Sequence, residues 1–322
     1  MRSLKQKLLL LFLPLCLVPL LGISIFSYFV AKERITEDRI VLFLQQLAAE
    51  VSDNIQLTLL EKEQSTFSMT LHAEFSEFLS HPDLPPPVEL LDKLTLVNQV
   101  FDVIGIFDIN GKLLATNTID RHTRTDIILE LNRQELESLW GRDLTEYTPD
   151  AGWLREVRSG HFGAIDWHMS PLVHRLYRYM DKDIALQYSI GFAAPIFDER
   201  FVVVGGVLAL MNWEYIQEIL DKVEDDLDDL SLRSGYAFLF ARDANTIIGH
   251  KYRRNRDYPP GEVDESAAVD NYGTRIVEDH RLEGLRDAIL REEKYFQYES
   301  VSYTHLRAHE TSLHLVCRLL LE

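Results

Sequence analysis

The sequence predicts an α+β chain: a membrane-spanning helix runs into a long helix, and two copies of one strand-turn-strand module follow. Three observations carry this. Residues 8–31 form an apolar run with no charged side chain. Residues 32–81 repeat apolar side chains at three- and four-residue steps, with no Gly or Pro. The segments FDVIGIFDINGKLLATN and GYAFLFARDANTIIGH share an apolar strand, an Asp two residues before a turn Asn, and a second apolar strand. They recur about 135 residues apart, too far for a solenoid.

The apolar run extends from Leu8 to Ala31. At about 1.5 Å per residue it reaches roughly 36 Å, enough to cross a hydrocarbon core of about 30 Å. Arg2, Lys5 and Lys7 precede it, and the mixed set Lys32, Glu33, Arg34, Glu37 and Asp38 follows. The cleaner cationic excess is N-terminal, so residues 1–7 are expected in the cytoplasm. A cleaved signal is the alternative. Its apolar region would be shorter, and Phe29-Val30-Ala31 lacks the small residue that cleavage needs first. On either reading the rest of the chain lies outside the cytoplasm, in the periplasm or beyond the cell.

Formal net charge is −18. Such a chain is a poor partner for nucleic acid or an anionic surface. Cys16 lies in the apolar run and Cys317 near the end, so no disulfide framework is expected.

Residues 32–81 predict one long stalk-like helix, because a pattern this long without a break is not an ordinary globular helix. It is also the expected surface for a homodimer. Pro82 and the triple proline Pro85 to Pro87 close it, and Val88 to Gln99 reads as a short amphipathic segment. Phe101–Phe107 and Leu113–Asn117 read as a hairpin around Asn110-Gly111, with both turn residues at positive φ. Residues 125–147 look helical. Tyr188–Phe197 and Phe201–Met211 read as apolar strands, with Gly205-Gly206 marking a bulge or a close backbone approach. Asn212 is expected to cap a helix reaching Leu230. Gly235–Ala241 and Thr246–His250 read as the second hairpin.

At these residues the chain resembles the double Cache sensor regions of bacterial membrane receptors. The resemblance rests on the N-terminal helix, the strand-turn-strand FDINGKLLATN, the stretch GFAAPIFDERFVVVGGVLAL and the hairpin GYAFLFARDANTIIGH, and it covers about residues 8–300. It implies two PAS-like modules with antiparallel sheets, a membrane-distal one over 82–230 and a membrane-proximal one over 231–300. The distal module would bind a small molecule. The proximal one would pass the change to a second membrane helix and an output domain of chemotaxis, histidine kinase or cyclase type. Residues 301–322 resemble a translated sequencing adapter, which makes them a non-native tail and leaves the second module incomplete.

For a ligand pocket the informative stretch is Trp153 to Tyr188. Pockets combine aromatic walls with a few placed polar groups. The candidates are Trp153, Arg155, Asp166, Trp167, Asp183 and Tyr188, with Arg158, Tyr177, Tyr179 and Asp181 nearby. Amino-acid-binding members of the family place an Arg two residues before a Trp. Here Ala151-Gly152 precede Trp153, so the resemblance does not carry an amino-acid ligand. His161, His168 and His174 lack metal-ligand spacing and read as loop histidines. The run Glu224-Asp225-Asp226 with Asp228-Asp229 reads as a solvated helix face, a weak Ca²⁺ site being the alternative. No nucleophile elbow, zinc helix or phosphate loop is present, so neither catalysis nor a cofactor is expected. The rival readings are an anchored hydrolase and a structural or adhesive ectodomain.

Overall fold

The computed structural model describes Ser24 and residues 42–81, 83–119, 134, 137–176, 188–229, 236–241, 246–249, 291 and 314–318. Apart from Ser24, the expected membrane helix lies outside these residues. Among the described residues no helix is long and apolar enough to cross a membrane. The chain divides into two compact units, Met1–Ala49 and Glu50–Glu322. In the first, residues 42–49 are helical.

The second unit opens with helical residues 50–69. The expected unbroken helix to His81 meets a break at Thr70–His72. There the backbone closes three-residue turns, Thr70 N–H to Phe67 O (3.1 Å) and His72 N–H to Met69 O (3.3 Å). The cause is hydroxyl chemistry rather than Gly or Pro. Thr70 Oγ1 donates to Phe67 O at 2.7 Å and Ser68 Oγ to Ser65 O at 2.7 Å, and such bonds compete with the helical ladder. A second helix, Ala73–Ser80, and a third, Val88–Val97, follow.

Five strands then build one open antiparallel sheet: β1 Phe101–Asp108, β2 Leu113–Thr116, β3 Gly163–Met169, β4 Tyr188–Phe197 and β5 Val203–Asn212. Their order is β2-β1-β5-β4-β3, and every neighbouring pair is antiparallel. An α+β module with such a sheet resembles the PAS-like one expected first. Side-chain alternation gives the sheet two buried faces. Val103, Phe107, Leu208, Leu210, Ala193 and Ile165 pack on one face with Trp153, Leu154 and Val157 of the helix Gly152–Arg158, and with Leu172 and Val173 of Pro171–Leu176. The helices Ala73–Ser80 and Val88–Val97 touch the other face through β5 and β1.

Two hairpin turns use one hydrogen-bond set. Asp108 N–H donates to Lys112 O, and Asp108 Oδ1 accepts from Asn110 and Lys112 N–H. Asp198 does the same with Val202 O, and with Arg200 and Val202 N–H. In the first turn only Gly111 has positive φ (89°); Asn110 does not. The expected tight two-residue turn is therefore a three-residue loop ending in a left-handed position. In the second turn Phe201 holds that place, at φ 60° and 86 % exposed. A left-handed non-glycine residue costs roughly 1–2 kcal/mol, and this ring gains little packing in return. Phe201→Gly is expected to raise stability by about 1 kcal/mol, seen as a higher denaturation midpoint; a lowered midpoint would contradict this.

Asn212, expected as a helix cap, is the last residue of β5. Its Oδ1 accepts the Glu214 N–H at 2.8 Å, where the helix Glu214–Asp229 begins. On that helix Val223 and Leu227 are buried while Asp225 and Asp226, two members of the acidic run, are exposed to solvent. A second sheet, ordered β7-β6-β8, contains β6 Tyr236–Phe240, β7 Ile247–Gly249 and β8 His314–Arg318. β6 and β7 pair antiparallel, as expected of the second hairpin, but β8 pairs parallel to β6. Of the helix expected over 125–147, residues 125–133, 135 and 136 lie outside the described ones, and Leu144–Tyr147 is a 3₁₀ turn.

Candidate functional site

The apolar sheet is crossed at one end by a row of buried polar side chains. Strand register assembles it. β3 carries a bulge between Ile165, which pairs with Gly191, and His168, which pairs with Ser189. Asp166 and Trp167 thus stand opposite the single residue Ile190, and the face presented by β3 shifts by one residue. Ser189 in turn pairs with Asn212 on β5. Residues directly paired across strands share a face. His168, Ser189 and Asn212 therefore lie side by side on the face that carries Leu208 and Leu210.

The row continues onto β1. Asn212 Nδ2 donates to Asp102 Oδ2 at 2.7 Å. Beyond it, Asn117 accepts Ile104 N–H on Oδ1 at 2.8 Å and donates Nδ2 to the carbonyls of Asp102 (3.0 Å) and Ile119 (2.8 Å). Asp102, Asn117, Ser189 and Asn212 are fully buried. Buried polar groups are normally bonded, because an unmet one costs about 1–3 kcal/mol.

Ser189 Oγ and His168 Nε2 depart from that rule. Both are buried and have no hydrogen-bond partner among the described residues. His168 Nδ1 lies 2.8 Å from the Asp166 carbonyl, which can only accept, so Nδ1 carries the proton. Burial pushes the His168 pKa below the usual histidine value, more than the Asp166 carbonyl and charge raise it. The neutral ring then offers Nε2 as an acceptor, paired across the strands with a hydroxyl that can donate or accept. A bare acceptor beside a versatile hydroxyl, in an apolar surround, suits a small polar solute carrying an N–H or O–H donor.

The other face at this end is aromatic. The Trp167 and Tyr188 rings stack at 4.5 Å and 4°, and Trp213 meets Trp167 edge-on at 6.3 Å and 69°. Trp167 Nε1 is a third buried polar atom without a partner among the described residues.

The sequence candidates thus separate. Trp167 and Tyr188 come together. Trp153 sits at the Gly163 end of β3, 2 % exposed in the core, with Nε1 donating to Thr148 Oγ1 at 3.1 Å. The Arg155 side chain is 80 % exposed and lies 3.9 Å from its neighbour Glu156. Asp166 is exposed, and its Oδ1 accepts the Trp167 N–H at 2.7 Å. Arg158 Nε donates to Ile109 O at 2.7 Å. Tyr177, Tyr179, Asp181 and Asp183 lie outside the described residues. His168, expected in a loop, is in a strand, while His161 and His174 are exposed. Among the described residues no group of three or more His, Cys, Asp or Glu side chains could hold a metal ion.

No family model matches the chain, and no curated protein matches it. Solved structures do. The sensor domain of the Vibrio cholerae histidine kinase DctB is 13 % identical, over 56 % of this chain and 59 % of that one, with a TM-score of 0.40. An extracellular ligand-binding receptor from Desulfohalobium retbaense is 14 % identical, over 82 % and 38 %, with a TM-score of 0.43. The ligand-binding domain of the Pseudomonas aeruginosa amino-acid chemoreceptor PctC, in complex with GABA, is 14 % identical, over 65 % and 74 %, with a TM-score of 0.38. The matches thus span 59 % of the first protein and 38 % of the second. At these identities and scores no residue role passes from them to this chain.

Proposed function

We propose that this chain is the extracytoplasmic sensing region of a membrane receptor, and that a small polar solute binds its first sheet at His168 and Ser189. The observation that carries the reading is the pair of buried, unpartnered atoms His168 Nε2 and Ser189 Oγ in an otherwise bonded polar row. The sensing modules are 82–230 and 231–300, and a membrane helix at 8–31 anchors them. The output domain is of chemotaxis, kinase or cyclase type.

The test is a thermal-shift screen of the full chain in detergent against small polar metabolites. Stabilisation by one chemical class, lost in Ser189→Val, supports the reading. An intact fold that no metabolite stabilises would count against direct sensing and favour a structural ectodomain.

The receptor is a homodimer in this reading, joined along the first helix. Val51, Ile55 and Leu59 face inward, while Leu57, Leu60 and Phe67 are 48–57 % exposed at steps of three and seven. That is the spacing of a coiled-coil seam. Leu60→Glu with Phe67→Glu is expected to halve the mass measured by light scattering, with the fold retained because neither side chain is buried. An unchanged mass would place the dimer contact elsewhere.

A further inference from the structure

We infer that Trp167, Tyr188 and Trp213 are positioning residues that couple the solute site on the first sheet to the second sheet; this rests on the binding site proposed above. Each ring is the immediate chain neighbour of one member of the polar row: Trp167 of His168, Tyr188 of Ser189, Trp213 of Asn212. Successive strand residues point to opposite faces. The three polar groups and the three rings are therefore front and back of the same short stretches of backbone. A backbone shift at the front therefore moves the peptide that holds a ring behind it.

The rings act as one body. Trp167 stacks on Tyr188 at 4.5 Å, and Trp213 closes against Trp167 at 6.3 Å. The Trp213 N–H donates to the Tyr188 carbonyl at 3.0 Å, which ties the end of β5 to the start of β4. Trp213 is 1 % exposed and Tyr188 8 %. The β3 bulge is what turns Trp167 into this cluster while leaving His168 on the other face. Without the extra residue the two side chains would exchange faces.

The cluster reaches the second sheet through Trp213. Trp213 Nε1 donates to the carbonyl of Ile248, the middle residue of β7. Beside it, the helix Glu214–Asp229, whose first N–H is held by Asn212, packs Leu220 against Gly249, also on β7. The same residue pair, Asn212 and Trp213, thus touches the polar row, the start of the helix and the second sheet. A solute drawing on His168 and Ser189 changes the spacing of β3, β4 and β5 at this end. The aromatic cluster carries that change to β7 through the indole hydrogen bond to Ile248.

The experiment is hydrogen–deuterium exchange on the full chain in detergent, with substitution at the site as the stimulus, so that no solute need be known. Ser189→Val alters the front of β4. It is expected to change exchange of the β6 and β7 amides by about fivefold. In a Trp213→Phe background, which keeps a ring but removes the Nε1 donor, the same substitution is expected to leave those amides unchanged. Unaltered β6 and β7 exchange in Ser189→Val, or an effect that persists in Trp213→Phe, overturns the coupling. If Trp213→Phe does not fold, 3-benzothienylalanine at position 213, which keeps the indole shape without the N–H, takes its place with the same two outcomes. The binding reading fails separately: a wild-type chain stabilised by no metabolite removes the site, whereas a stabilising metabolite with silent β6 and β7 removes only the coupling.

Discussion

Replacing Trp153 by Ala is expected to cost about 4 kcal/mol of stability. The ring is 2 % exposed, meets Phe107 edge-on at 5.2 Å and 89°, and donates Nε1 to Thr148. Truncation leaves a cavity between the helix Gly152–Arg158 and β1 and removes the indole bond to Thr148, whose hydroxyl keeps its own bond to Asp150 O at 2.9 Å. Gly163 lies so close to the Trp153 backbone that a Cβ there would sit 2.5 Å from the Trp153 carbonyl oxygen, so the helix cannot slide inward to fill the gap. Trp153→Phe keeps most of the apolar volume and is expected to recover roughly half of the loss. The denaturation midpoint measures both. A cost below about 1 kcal/mol for Trp153→Ala would mean that the ring lines an open pocket instead.

Gly205→Ala is expected to cost about 3 kcal/mol for a single methyl group. A Cβ at Gly205 would lie within 2.2 Å of the Phe107 carbonyl oxygen and 2.9 Å of Leu79 Cδ1. Leu79 can turn aside, but the carbonyl belongs to β1, whose register against β5 runs Phe107 to Gly206 and Asp108 to Gly205. Relief requires those two strands to part, at the centre of the sheet. Far-ultraviolet circular dichroism during thermal melting separates the outcomes. A strongly lowered melting temperature is predicted, and wild-type melting would show that β1 and β5 are less closely opposed.

The close approach at Gly205-Gly206 was legible because two glycines in an apolar strand have few other uses. The hairpin strands were legible for a similar reason, from the β-branched and aromatic residues around an Asp-led turn, but the first turn's geometry was not: it is three residues long, with positive φ at Gly111 and not at Asn110. Trp153 shows the limit. Its type and neighbourhood suit a pocket wall as well as a core, and only the packing of Phe107 and Gly163 against it decides. The break at Thr70–His72 was hidden because serine and threonine hydroxyls end a helix only when they find the right carbonyl.

The polar row was the least legible feature. Asp102 and Asn212 are bonded across 110 residues of sequence. Ser189 sits inside YSIGFAAPIF, a stretch that reads as a uniform apolar strand. His168 reaches the row only because a bulge shifts the alternation of β3, and no composition or spacing rule announces a bulge. Trp167 and Tyr188 drew attention as aromatics. Their stacked partnership, behind the site rather than in it, follows from the same shift.

The most direct test of the account is isothermal titration of a metabolite that stabilises the wild-type chain into wild type, Ser189→Val and His168→Leu. Each substitution removes one unpartnered polar atom from the row without touching Asp102, Asn117 or Asn212. The account predicts affinity at least about tenfold weaker in both variants, the loss of one hydrogen bond at each. Equal affinity in all three proteins would contradict it and move the solute off this face of the sheet.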